Sequence, residues 1–170
     1  MFVGVDTSGM PRYATLRGTT KNSRFMMDVP GSDKRFSFSI PAMDQNNTVC
    51  LFESAIDLLS YATFMKLKGL NWRSVNYLSL AGVYLPRKNI AESTVPLALE
   101  QYLKKNADTQ NIILCLDNDL TGKEATKAIT IILGNRYRIE NKTPPRGKDY
   151  NDYLEIKQGL KMKNRNDIVR

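Results

Sequence analysis

Polar and apolar residues alternate over the first forty positions, whereas short unbroken apolar runs separate amphipathic stretches after position 48. The two rhythms predict two kinds of structure. Phe2 to Val5 and Arg12 to Leu16, joined by Asp6-Thr7-Ser8-Gly9, read as an antiparallel hairpin with a four- or five-residue turn. Arg35 to Ile40 alternates with period two, which predicts a strand with Phe36, Phe38 and Ile40 on one face, ended by Pro41. Buried strands are predicted at Thr48–Phe52, Val75–Leu80, Asn111–Leu116 and Tyr137–Glu140.

Between these strands lie helices with recognisable ends. Ser54 and Asp57 form a capping-box-like pair ahead of an apolar stripe of Ile56, Leu59, Ala62 and Phe64, and Gly69 stops that helix. Pro96 and Lys104-Lys105 bracket a helix from about Val95 to Asn106. Thr121-Gly122-Lys123-Glu124 reads as a second capping box for a helix ending at Gly134, and a last helix is expected near Asn151. Strand–helix units in series imply a parallel sheet with right-handed crossovers. The expected fold class is α/β: a central parallel sheet of about four strands flanked by helices, with an N-terminal antiparallel β extension. The expected divisions are residues 1–44 for the extension, 45–158 for the α/β domain and 159–170 for a basic tail.

Composition narrows the chemistry. The chain has no histidine, which removes Ser-His-Asp and Cys-His catalysis, and His-based zinc sites with them. Its two cysteines, Cys50 and Cys115, lie inside apolar runs with no CxxC spacing, so core thiols are expected rather than a disulfide or a zinc site. The net charge of +8 suits a polyanionic partner such as nucleic acid, although many basic proteins bind none, and composition alone favours a solvated basic helix face for the C-terminal tail. Residues 136–170 hold ten Lys/Arg against five Asp/Glu, so part of the excess is local. The first residues carry no signal-peptide pattern and no run reaches membrane-spanning length; a soluble cytoplasmic protein with no membrane partner is expected.

The chemistry-bearing residues are carboxylates at the ends of predicted strands. Glu53 follows the first, Asp117 and Asp119 follow the third, and Asp149 and Asp152 precede the last helix. Ligands in open α/β sheets sit just beyond such strand ends. If the first and third strands are neighbours, Glu53 meets the aspartate pair. Clustered carboxylates repel unless a cation neutralises them, and hard oxygen donors suit Mg²⁺. Asp57 is read as a helix cap rather than a ligand, Asp119 could be only a turn residue, and Asp152 could be only a solvated acid at a helix start. Asp117-x-Asp119-x-Thr121-Gly122 opens like an EF-hand loop, but the twelfth position is Ala128. The same residues match the Asp-x-Asp-x-Thr motif of haloacid-dehalogenase-like phosphatases, a minor alternative given the two strand–helix units before it.

The ordered set resembles the Toprim domain of primases, topoisomerases and related nucleases, and is most similar to primase-type members. The resemblance rests on Phe52-Glu53-Ser54-Ala55-Ile56-Asp57, on Leu116-Asp117-Asn118-Asp119-Leu120-Thr121-Gly122, and on Pro145-Arg146-Gly147-Lys148-Asp149-Tyr150-Asn151-Asp152-Tyr153-Leu154. Pro11 to Gly18 and Gly31 to Arg35 look like the segment preceding Toprim in primase-like proteins of plasmids and conjugative elements.

By that resemblance Glu53 acts in acid/base work or metal binding, Asp117 and Asp119 ligate Mg²⁺ (Mn²⁺ substituting), and Asp149 completes the site. Lys148 and Lys123 are implied phosphate contacts, and Gly82 a place where a nucleotide approaches the backbone. Asn151 stands where primases often carry a further acid, which weakens the case for a second metal.

The implied partners are DNA or RNA, nucleoside triphosphates, and other replication or mobilisation proteins. The implied activity is primase-like nucleotidyl transfer. A metal-dependent nuclease of the same fold, or a non-catalytic nucleic-acid-binding module, remain the alternatives. A topoisomerase is not expected, since it requires a nucleophilic Tyr domain and a DNA gate that 170 residues are too few to supply.

Overall fold

The computed structural model describes residues 1–19, 25–82, 84–87, 89–90 and 93–161. The expected basic tail therefore lies almost wholly outside the described residues.

Three N-terminal strands, β1 (Phe2–Val5), β2 (Pro11–Arg17) and β3 (Met26–Asp28), form an antiparallel sheet in the order β1-β2-β3. The β1–β2 hairpin is the predicted one. Its turn is held by the Asp6 carboxylate, which accepts from the Ser8 and Met10 amides. The expected strand at Arg35–Ile40 is a correction. Lys34–Phe36 forms a 3₁₀ turn capped by Asp33, and only Ser39–Ile40 (β4) is extended. The Asp33 carboxylate accepts from the Arg35 amide, and this local bond competes with an extended backbone there.

β5 (Thr48–Phe52), β6 (Asn76–Ser79), β7 (Asn111–Leu114) and β8 (Arg138–Asn141) are mutually parallel, and β4 joins β6 antiparallel, giving the order β4-β6-β5-β7-β8. Each parallel step is made through a helix or long connection: α1 (Ala55–Leu67), α2 (Leu97–Lys105) and α3 (Leu120–Leu133); α4 (Tyr150–Lys157) follows β8.

Period-two alternation in the buried strands divides the core into two layers. Val49, Leu51, Ile112 and Leu114 face Leu99 of α2 and Ala125, Ile129 and Leu133 of α3. Cys50, Phe52 and Tyr77 face Leu58 and Tyr61 of α1 and Tyr150 and Tyr153 of α4. Helices thus cover both sheet faces, as buried parallel strands require. Both cysteines are buried and free. The apolar stripe of α1 is phased differently from expectation: Leu58, Tyr61 and Ala62 are buried, while Leu59 is 37% exposed. No helix among the described residues is long and apolar enough to cross a membrane.

Candidate functional site

β5 and β7 are adjacent and parallel, so the residues just past their C-terminal ends emerge side by side above the sheet. Glu53 follows β5 and is 7% exposed; Asp117 follows the β7 segment and is equally buried. The Asp117 amide donates to Glu53 Oε1 at 3.2 Å, joining residues 64 positions apart in sequence. The conditional expectation that these two strands are neighbours is met.

The Asp117–Gly122 turn is unusually tight. A Cβ on Gly122 would lie 2.1 Å from the Asp117 carbonyl oxygen, so no larger residue fits without moving backbone. Asp119 is the N-cap of α3, its Oδ1 accepting from the Gly122 amide at 2.9 Å. This corrects the expectation that Thr121 opens a capping box. Asp119 stands two residues ahead of Thr121, and its carboxylate takes the free Gly122 amide, so α3 opens before Thr121.

The third segment returns through the turn after β8. The Asn118 amide donates to the Lys148 carbonyl at 2.6 Å, which clips the two loops together. Lys148 Nζ then stands 3.1 Å from Asp117 Oδ2 and 3.4 Å from Asp119 Oδ2. Asp149 caps α4, its Oδ1 accepting from the Asp152 amide at 2.7 Å. Asp152 clips its own loop by accepting from the Lys148 amide and from Lys161 Nζ.

Electrostatics follow from this crowding. Burial, then the charges of Asp117 and Asp119, push Glu53 up to about 7. Burial also raises Asp117 and Asp149, with the Lys148 ammonium opposing it at both. Asp119, more exposed, is held low chiefly by the Gly122 amide. Lys148 is raised, first by its bond to Asp117.

Other residues serve the frame. Ser54 caps α1 by accepting from the Asp57 amide, and Asp57 in turn accepts from Ser54 Oγ and from the Asn151 amide. Asp57, pushed up by burial to about 6, sits at the capping position read from sequence and also ties the β5–α1 junction to α4. Asn151 turns its side chain toward Ser60 and Glu155. This link between α1 and α4 was missed from sequence; a buried Asp at the third position of one helix was its only signal.

Lys123 is exposed in the first turn of α3 and makes no ion pair among the described residues, so the structure does not bring it to the acids. Gly82 has φ +117, and a Cβ there would meet only Lys34 Nζ at 3.9 Å; backbone conformation, not tight helix packing, requires glycine. Its amide donates to the Glu53 carbonyl at 2.9 Å.

Among the described residues no three His, Cys, Asp or Glu side chains are drawn together closely enough to hold an ion as they stand. The donor set still fits a divalent cation in kind. Glu53, Asp119 and Asp149 each commit one named oxygen to a backbone amide, leaving the other uncommitted to backbone, and a cationic group, the Lys148 ammonium, already stands between Asp117 and Asp119.

The chain matches the Toprim-like family over residues 50–154, a span that contains Glu53, Asp117, Asp119, Lys148 and Asp149. It is also 26% identical over 170 residues to a "65 kDa protein" of Zymomonas mobilis subsp. mobilis, the match covering 94% of this chain and 27% of that protein. The chain thus spans about a quarter of the length of that relative. Domains of the family typically bind divalent metal ions, and the match supports a metal-dependent function connected with nucleic acid. Parallel strands that end in a glutamate and an Asp-x-Asp pair, matched over well more than half of the sequence, establish that the chain belongs to the Toprim-like family.

Proposed function

We propose that this chain is a Mg²⁺-dependent catalytic domain of a primase-like protein, of the kind carried by mobile elements, that transfers nucleotidyl groups on nucleic acid. The observation that carries the reading is the hydrogen bond from the Asp117 amide to Glu53 Oε1, which sets a proton-accepting carboxyl beside the aspartate pair. Asp117, Asp119 and Asp149 would hold the ion, with Glu53 bordering it; Mn²⁺ has the same ligand preference and would substitute. When bound, such an ion supplies Lewis-acid polarisation of a phosphoryl oxygen.

The protein's own groups do the rest. Glu53, raised to about 7, accepts a proton at neutral pH from an attacking 3′-hydroxyl and can return it afterwards. An ion held by these aspartates would compete with the Lys148 ammonium for them, and the ammonium, half exposed at the site, could then meet phosphate charge. Asp117, as buried as Glu53, holds that carboxyl in place through its backbone amide. The same carboxyl could deprotonate water instead, which makes a nuclease the second reading.

Incubating the protein with labelled single-stranded DNA, nucleoside triphosphates and Mg²⁺ separates them. Extension lost in Asp117→Asn and Glu53→Gln supports the proposal; shortening lost in the same variants supports the nuclease. Neither product, together with equal Mn²⁺ binding by wild type and Asp117→Asn, leaves a non-catalytic binding module.

A further inference from the structure

The N-terminal sheet does more than precede the family domain. With the start of α1 and the end of β6 it encloses a cavity of about 290 Å³. Phe2 and Phe38, edge to face at 5.6 Å between ring centres, and the thioethers of Met26 and Met27 form its apolar walls. Such walls suit a flat polarisable ring. The volume lies near the lower bound of small-molecule sites, roughly 300 Å³, which suits one ring system better than an extended ligand.

Polar groups are placed at its edges. Lys34 Nζ donates to the Ala81 carbonyl at 3.0 Å and stands 3.5 Å from Asp28, whose carboxylate also accepts from Tyr13. Arg17 is exposed at the mouth. Asp28 and Ser79 offer hydrogen bonds to an exocyclic amine or a ring nitrogen, and the two cations offer charge to phosphate. Beyond their bonds within the protein, Asp28 keeps further acceptor lone pairs and Ser79 its hydroxyl proton, which a purely apolar ligand would not use, and a single carboxylate is too few for a metal.

The cavity lies next to Glu53 through two of its lining residues. Ser54, the residue after Glu53, lines it, and so does Gly82, whose amide is bonded to the Glu53 carbonyl. Ala81, at φ +58, and Gly82 present mostly backbone there. The left-handed region disfavours a residue with a Cβ, and the Lys34 and Ser79 bonds to the Ala81 carbonyl and amide hold it there.

We propose that this cavity receives one nucleobase, carried on a free nucleoside triphosphate or within a single strand, and so seats the attached sugar-phosphate beside Glu53. The ligand class rests on the nucleotidyl-transfer reading above; the seat itself rests on residues outside that reading's acids.

Equilibrium binding to the full chain in EDTA tests it without any metal. Two pairs of probes are compared: ATP with inorganic tripolyphosphate, and oligothymidylate with an abasic phosphodiester chain of equal length. In at least one pair the base-bearing member is expected to bind roughly tenfold tighter, as stacking on aromatic groups gives. Thr15→Trp fills the cavity on a strand that favours aromatic residues, and should abolish that preference while leaving circular dichroism and tripolyphosphate binding unchanged. Met27→Ala, at an exposed wall position, should reduce the preference several-fold, and decides the matter if the Trp variant does not fold.

A preference in the ATP pair alone identifies a free nucleotide as the source of the base, and in the strand pair alone, the strand. Equal binding within both pairs overturns the proposal, as does an undiminished preference in a folded Thr15→Trp protein. A base preference that survives in a protein without transfer activity would sink the primase-like reading while leaving this seat standing.

Discussion

Folding moves Glu53 from water into the company of other acids, so its proton couples to stability. Between its ordinary value of 4.5 and about 7, the native state retains a proton that the unfolded chain has released. Stability in EDTA should therefore fall as pH rises through that window. Asp57, raised to about 6, adds to the slope in the lower part of that window, so thermal melts of Glu53→Gln are expected to lose the slope chiefly between about pH 6 and 7; a slope there equal to wild type would mean that Glu53 is solvated. Lys148 makes a second test. Lys148→Met leaves Asp117 and Asp119 facing each other without a counter-charge, and urea unfolding should show a loss of about 1 kcal/mol, small because the lysine is half exposed. Added Mn²⁺ should restore more stability to this variant than to wild type. Glu53 and Asp117 were legible because each directly follows an apolar run, a position that a sheet places at one rim. The lysine's seat between Asp117 and Asp119 was not, since it depends on how the Pro144–Gly147 turn folds back, and local sequence says nothing about that return.

At the scale of elements, the site is built from helix starts. Ser54, Asp119 and Asp149 cap α1, α3 and α4, so two of the proposed ligands also hold a helix end. Asp119→Ala should cost about 1 kcal/mol through the lost cap, whereas Asp119→Asn keeps an accepting oxygen and should cost a few tenths; chemical denaturation separates the two. Gly122→Ala should destabilise by about 1–3 kcal/mol, because its methyl would drive the Asp117 carbonyl out of place. The pattern of apolar runs revealed the four parallel strands and their helices to within a residue or two. It misphased α1, because that helix is apolar almost all round, with Leu59 as greasy as its buried neighbours. It also overextended the strand before Pro41: alternation in Arg35–Ile40 looks the same whether the backbone is extended or folded into a turn by Asp33.

For the molecule as a whole, the first forty residues are joined to the α/β sheet at its edge. β4 pairs with β6, the Ser79 amide donates to the Phe38 carbonyl, and Phe38 and Ile40 pack on the aromatic core layer. Deleting residues 1–44 should therefore uncover one edge of the sheet and lower the melting temperature measurably, with a tendency to aggregate in light scattering. Nucleic-acid binding by the intact chain should weaken steeply with added salt, as phosphate contacts to Lys and Arg require; a flat salt profile would argue against a phosphate-tracking surface.

The Glu53–Asp117 bond spans 64 positions, and the loop that brings Lys148 to them lies later still. Pairings so distant in sequence form slowly. On a ribosome that delivers residues one after another, Glu53 waits for Asp117, and the pair waits again for Lys148 and Asp149. A divalent ion that needs the full set of acids would therefore act late, locking a scaffold already assembled rather than templating its early collapse.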